Sequence, residues 1–127
     1  MNSDLLPKRL CVLGSILLTI IGIFHASGIS YVNSLVQNSD VTNLVKSIFP
    51  ILFILPTIQL FGFAIFGLIA SYMGQHANKV LIPLSILILI DAMLAFYLNA
   101  IIPGLILALP SAIFFFVALR KTAKEAI

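Results

Sequence analysis

The sequence predicts an all-α integral membrane protein, a four-helix up-down bundle with both termini in the cytoplasm. Three observations carry that expectation. Of 127 residues, 61% are hydrophobic and only 9% are charged. Four apolar stretches are each long enough to cross a bilayer, and short polar segments separate them. The basic residues fall almost entirely on one side of that alternation. A soluble domain is roughly half apolar and about a quarter charged. So few charges cannot clothe a water-facing surface, and the apolar surplus is expected to face lipid. The same balance excludes a disordered chain, which needs low hydrophobicity and high charge.

A helix needs ~20 mostly apolar residues to cross ~30 Å of hydrocarbon at 1.5 Å per residue. The first such run follows Lys8-Arg9 and covers about 10–32. It is longer than the apolar segment of a secretory signal peptide and lacks a small-x-small cleavage site, so it reads as a retained span. A polar stretch, the outer loop 33–47, comes next. Leu35, Val36, Val41, Leu44 and Val45 punctuate it, so helix 1 is expected to project past the bilayer and turn near Asn38-Ser39. Asp40 is the expected N-cap of the next helix. The second span covers 48–72. Pro50 suits a first turn, and Pro56 lies inside, where it removes a backbone bond. A short polar connection, 73–79, leads to the third span, 80–98. The fourth covers 102–119. One 40-residue helix from 80 to 119 would be ~60 Å long, twice the hydrocarbon thickness. Pro103-Gly104 is therefore read as a hairpin. The whole chain, 1–127, is a single transmembrane domain.

With four spans both termini share a side. Lys8, Arg9, Lys79, Arg120, Lys121 and Lys124 lie on it, and Lys46 alone lies opposite. Basic residues concentrate in short cytoplasmic segments. The N and C termini are thus expected inside a plasma membrane, of the bacterial inner-membrane type.

An ionisable side chain inside a span is costly and is a functional candidate by default. Asp91 lies ~18 Å from the cytoplasmic side by helical rise, and Gln59 lies ~20 Å from the same side. Thr57 and Thr19 fall near that layer. A protonated carboxyl and a primary amide are complementary hydrogen-bond partners. Asp91 is therefore expected to face the bundle interior with Gln59 as its partner. Two roles stay open. The pair is interhelical glue, worth ~0.6–2 kcal/mol, or it is a proton-linked or ligand-binding group. His25 lies ~24 Å up, in the outer third. Gly14, Gly22, His25 and Gly28 share one side of helix 1, where small residues let another helix approach. Asn99 and Tyr97 are expected near the His25 layer.

Other chemistry is not indicated. His25 and His76 fall near opposite faces, so they cannot ligate one haem together. No metal-ligand cluster and no nucleophile, zinc or phosphate-loop motif is present, so no catalytic residue, metal or cofactor is assigned. The lone Cys11 has no partner for an intrachain disulfide. The net charge of +3 is no nucleic-acid signal, because the basic residues stand at helix ends and do not interleave with aromatics. Phe114-Phe115-Phe116, with Phe61, Phe63 and Phe66, read as packing or lipid-facing bulk.

The segment Gly22-Ile-Phe-His25-Ala-Ser-Gly28 resembles the G-x-x-H-x-x-G pattern in the first helix of small uncharacterised four-helix bacterial membrane proteins. The Phe/Gly-rich run that begins at Gln59 is similar to their second helix. The resemblance implies a four-helix fold with His25 near Gln59, and no activity. Small multidrug exporters share the size, but their hallmark acid is in the first helix, which here has none. The leading expectation is a non-enzymatic accessory or interaction protein, whose partners are the lipid bilayer and a homo-oligomer or membrane partner. The rival is a small binder or transporter of a lipophilic or protonatable ligand that uses Asp91, Gln59 and His25.

Overall fold

The structure, a computed structural model, describes residues 5–125, with side chains through Arg120. Among the described residues it is all helical: α1 (Leu5–Ser27), α2 (Ile29–Gln37), α3 (Asn43–Ala70), α4 (Asn78–Tyr97) and α5 (Ile101–Glu125), with a 3-10 turn over Gly74–Ala77. Four helical stretches are long and apolar enough to cross a membrane, α1 and α2 counting as one of 33 residues. By length and composition, the chain is thus suited to cross a membrane four times. Lys121 and Lys124 lie outside the residues whose side chains are described.

The long helices α1 and α3 are apolar around most of their circumference, so hydrophobicity does not choose their inner faces. Side-chain size does much of it. The inner face of α1 is Pro7, Cys11, Gly14, Ser15, Leu18 and Gly22. That of α3 is Thr57, Leu60, Phe63, Ala64, Gly67 and Ala70. Both repeat every three to four residues, the helical period. They are rich in Gly, Ala, Ser and Thr, which let backbones come close where lipid is as apolar as the core. Large side chains such as Leu13, Ile16, Ile20, Ile65 and Leu68 point outward.

The largest fully buried side chain sits among these small residues. Phe114 of α5 is fully buried. A Cβ at Gly14 would stand 2.7 Å from its ring, and one at Gly67 would stand 2.5 Å from it. Two glycines on two helices therefore make the slot for one aromatic ring. The next two residues, Phe115 and Phe116, face outward, as the packing-or-lipid reading of this run allows. On the other pair of helices, Ser111 Oγ donates to the Ser85 carbonyl at 2.8 Å, tying α5 to α4 inside the bundle.

The connections bear out one sequence expectation and revise two. Helix persists to Gln37 and the chain turns at Asn38-Ser39, as expected, before helix resumes at Asn43, so the segment 33–47 contains only a short connector. Gln37 Nε2 donates to the Lys46 carbonyl at 2.9 Å, which holds the two helix ends together. The N-cap is Thr42 rather than Asp40. Thr42 is extended, and its hydroxyl accepts from the Val45 N–H at 3.5 Å. Asp40 is two residues too early to reach the free amides of that first turn. The last hairpin turns at 98–100, before Pro103-Gly104. Asn99 adopts φ +58°. The Asn99 N–H donates to Phe96 O at 3.0 Å, and the Ala100 N–H donates to Ala95 O at 2.8 Å. These two bonds form a Schellman motif with Asn99 in its left-handed position. Pro103 falls in the first turn of α5, where no helical N–H is required. Gly104 is close-packed under the Phe96 ring, 2.7 Å from where its Cβ would be.

Candidate functional site

The polar side chains at depth are organised by α3. Thr57 and Gln59 are two residues apart, which on a helix is about 200°. They therefore address opposite neighbours. Thr57 turns towards α1, and its hydroxyl shares a 2.9 Å hydrogen bond with His25 Nδ1. Gln59 turns towards α4, and its Nε2 donates to Asp91 Oδ2 at 3.0 Å. Pro56 precedes both and withholds its N–H from the helix ladder. The two bonds between helices thus cluster within a turn of the place where α3 is weakest.

His25 is held on two sides. Its ring stacks on Phe53 at 4.5 Å with 19° between planes. Thr57 is 4% exposed, so the hydroxyl has little access to other partners. The expected glycine side of helix 1 is used for close approach. Gly22 faces Phe61 and Leu60, and Gly28 lies near Phe53. Thr57 shares the depth of the Asp91 layer but faces α1, where it bonds His25. Thr19, also expected near that layer, spends its hydroxyl on the Ser15 carbonyl at 2.9 Å.

The expected bond between Gln59 and Asp91 is present, but Asp91, expected to face the bundle interior, flanks the inner face of α4. The buried residues there are Asn78, Leu81, Leu84, Ser85, Ile88 and Ala92. Asp91 is half-buried beside Ala92, and Gln59 is exposed. The reason is geometric. Gln59 is one residue from buried Leu60, about 100° around the helix, and the same offset separates Asp91 from Ala92. The bond therefore closes over the outer edge of the α3–α4 seam. Tyr97 and Asn99 also face outward, at the α4–α5 turn. Asn99 contributes its backbone conformation to that turn and does not join His25.

Two open grooves run along the bundle. One, of about 290 Å³, lies between α3 and α4 and is lined by Phe63, Phe66, Val80, Pro83, Leu84 and Leu87, with Lys79 at its end. The other, of about 390 Å³, lies between α1 and α3 and includes Val12, Thr19, Phe61 and Leu68. Both are almost wholly apolar, and neither is lined by Asp91, Gln59 or His25. Among the described residues no group of His, Cys, Asp and Glu could hold a metal ion. His76 is exposed in the 3-10 turn, at the end of the molecule away from His25.

At that same end, Lys8 Nζ stands 4.3 Å from the Tyr72 ring centroid. Arg120 stacks on Phe116 at 5.2 Å. These cation–π contacts anchor α1 to the end of α3 and fix a cation on α5. The first of these contacts is not signalled by residue spacing, because it depends on how neighbouring turns stack.

In comparison with known proteins, the chain matches no family model, no curated protein and no solved structure.

Proposed function

We propose that this chain is a non-enzymatic membrane protein that works by association, docking another transmembrane helix against its α3–α4 seam. The observation that carries this reading is the Gln59–Asp91 bond at the outer edge of that seam, with the amide exposed. In hydrocarbon there is no water to satisfy the remaining donors and acceptors, and each unsatisfied group is costly. A second polar partner inside the membrane relieves that cost. The orientation is N-in and C-in, supported by the six basic residues against one. The resemblance of the Gly22–Gly28 segment to small bacterial membrane proteins supports a bacterial inner membrane.

The binder or transporter reading is less well supported. It requires His25, Gln59 and Asp91 around one cavity, whereas α3 stands between His25 and the other two. His25 is also already engaged by Thr57 and Phe53.

The test is native mass spectrometry of the protein released from lipid nanodiscs, for wild type and for Gln59→Leu/Asp91→Leu. The wild type should appear as an assembly heavier than one 13.8 kDa chain, and the double variant as a single chain. A single chain in both samples overturns the proposal. A single wild-type chain that carries a small ligand, lost in the variant, would establish the rival.

A further inference from the structure

Resting on the seam-docking reading above, we infer that the partner is a second copy of this chain, in a parallel dimer whose two-fold axis runs along the membrane normal and in which each Gln59–Asp91 pair is completed by its counterpart.

Hydrogen-bond inventory is the first argument. A primary amide has two N–H donors and a carbonyl acceptor. One donor is used on Asp91 Oδ2. The pair therefore offers a donor and an acceptor side by side at one exposed spot. A surface with both is self-complementary, which is what an isologous two-fold contact requires.

Depth is the second. Gln59 is 11 residues from the Ala70 end of α3, and Asp91 is 13 residues from the Asn78 start of α4. At helical rise these are ~17 and ~20 Å from the same end of the bundle. An axis along the membrane normal therefore brings two such pairs together at one level. The strong bias of basic residues to one end orients every copy alike, so the dimer is parallel.

The shape of the flanking surface is the third. On α3, Leu52, Leu55, Gln59, Gly62, Phe66 and Ile69 recur at alternating intervals of three and four. On α4, Leu87, Asp91, Leu94 and Leu98 do the same. The large apolar members of both series are exposed. This is the 3.5-residue repeat of a helix-packing seam, in which one polar position sets register. A Cβ at Gly62 would have nothing within 4 Å, so a neighbour can come close to the backbone there. A ligand pocket needs no such repeat, but a second helix does.

The experiment uses the full chain in nanodiscs on a C11A background, with single cysteines placed in turn at Leu55, Gly62 and Phe66. Oxidation should give a disulfide-linked dimer from at least one of these, and none from cysteines at Ile16 or Ile20 on the outer face of α1. In native mass spectrometry and lipid-dilution measurements, Gln59→Leu should weaken self-association at least about tenfold, while Asp91→Asn, which retains a donor and an acceptor, should preserve it. Leu at position 59 suits a lipid-facing surface, and an unchanged helical circular dichroism spectrum checks that the fold is intact. Crosslinking through α1 alone, or an equal dimer in Gln59→Leu, overturns the inference. A hetero-assembly that depends on Gln59 and Asp91 overturns the dimer but leaves the seam-docking reading standing. A single chain throughout overturns both.

Discussion

Adding one methyl group at Gly67 should destabilise this bundle, although alanine is the better helix former. The new Cβ would lie 2.5 Å from Phe114 Cζ, 2.6 Å from Ser15 Oγ and 3.0 Å from Phe114 Cε1. None of these atoms has a free path away. Phe114 is fully buried and is backed by Gly14, where a Cβ would already be 2.7 Å from the ring. Ser15 is held by its bond to the Cys11 carbonyl at 2.9 Å. Overpacking of this kind costs about 1–3 kcal/mol, and alanine's intrinsic advantage returns up to about 1. A net loss of about 1–2 kcal/mol is expected. The molecule carries its own reporter, since Cys11 is only 1% exposed. A thiol-reactive fluorophore should label it mainly through opened states, whose population rises about 5–30-fold for that loss. Gly22→Ala is the control. Its Cβ would come no closer than 3.4 Å to the Phe61 ring, an ordinary contact, so labelling should be unchanged or slower. Phe114→Leu should partly rescue Gly67→Ala, giving a double variant less impaired than the two losses added. Labelling of Gly67→Ala at or below the wild-type rate would refute the three-helix slot.

Three other outcomes follow from the geometry. Thr57→Val keeps the shape of a 4%-exposed residue but removes the hydroxyl that His25 uses; it should cost about 0.6–2 kcal/mol in denaturant titration, and no cost would mean that the bond is idle. At Asn99, with φ +58°, glycine should be neutral or better, whereas valine should lose about 1–2 kcal/mol by the same titration; equal stability of the two would refute the Schellman turn. For orientation, a cysteine at Ser39 on the C11A background should react with an impermeant thiol reagent in intact cells, and one at His76 only after permeabilisation; the reverse pattern would invert the topology.

Much of this was legible in the chain before folding. Apolar run length determined the number of spans, because the ~30 Å of hydrocarbon sets how many residues a helix needs. The side of the basic residues set the expected direction. Equal depth paired Gln59 with Asp91, and the glycine face of helix 1 announced a close contact. These are properties of position along a helix, and helical rise converts them to distance without knowledge of neighbours.

What the tertiary structure decided is direction around each helix. With apolar residues on every side, the sequence carries no hydrophobic contrast to say which face turns inward. The choice falls to size, and only packing reveals it. Phe114 is buried where Phe115 and Phe116 are not, because Gly14 and Gly67 happen to meet at its level. Thr57 goes to His25 while Gln59 goes to Asp91, because α1 and α4 flank α3 on opposite sides. Asp91, placed at mid-depth by counting, stands at the edge of the seam because Ile88 and Ala92 take the buried face of α4. Depth is a sum along one helix. Facing is a compromise among four.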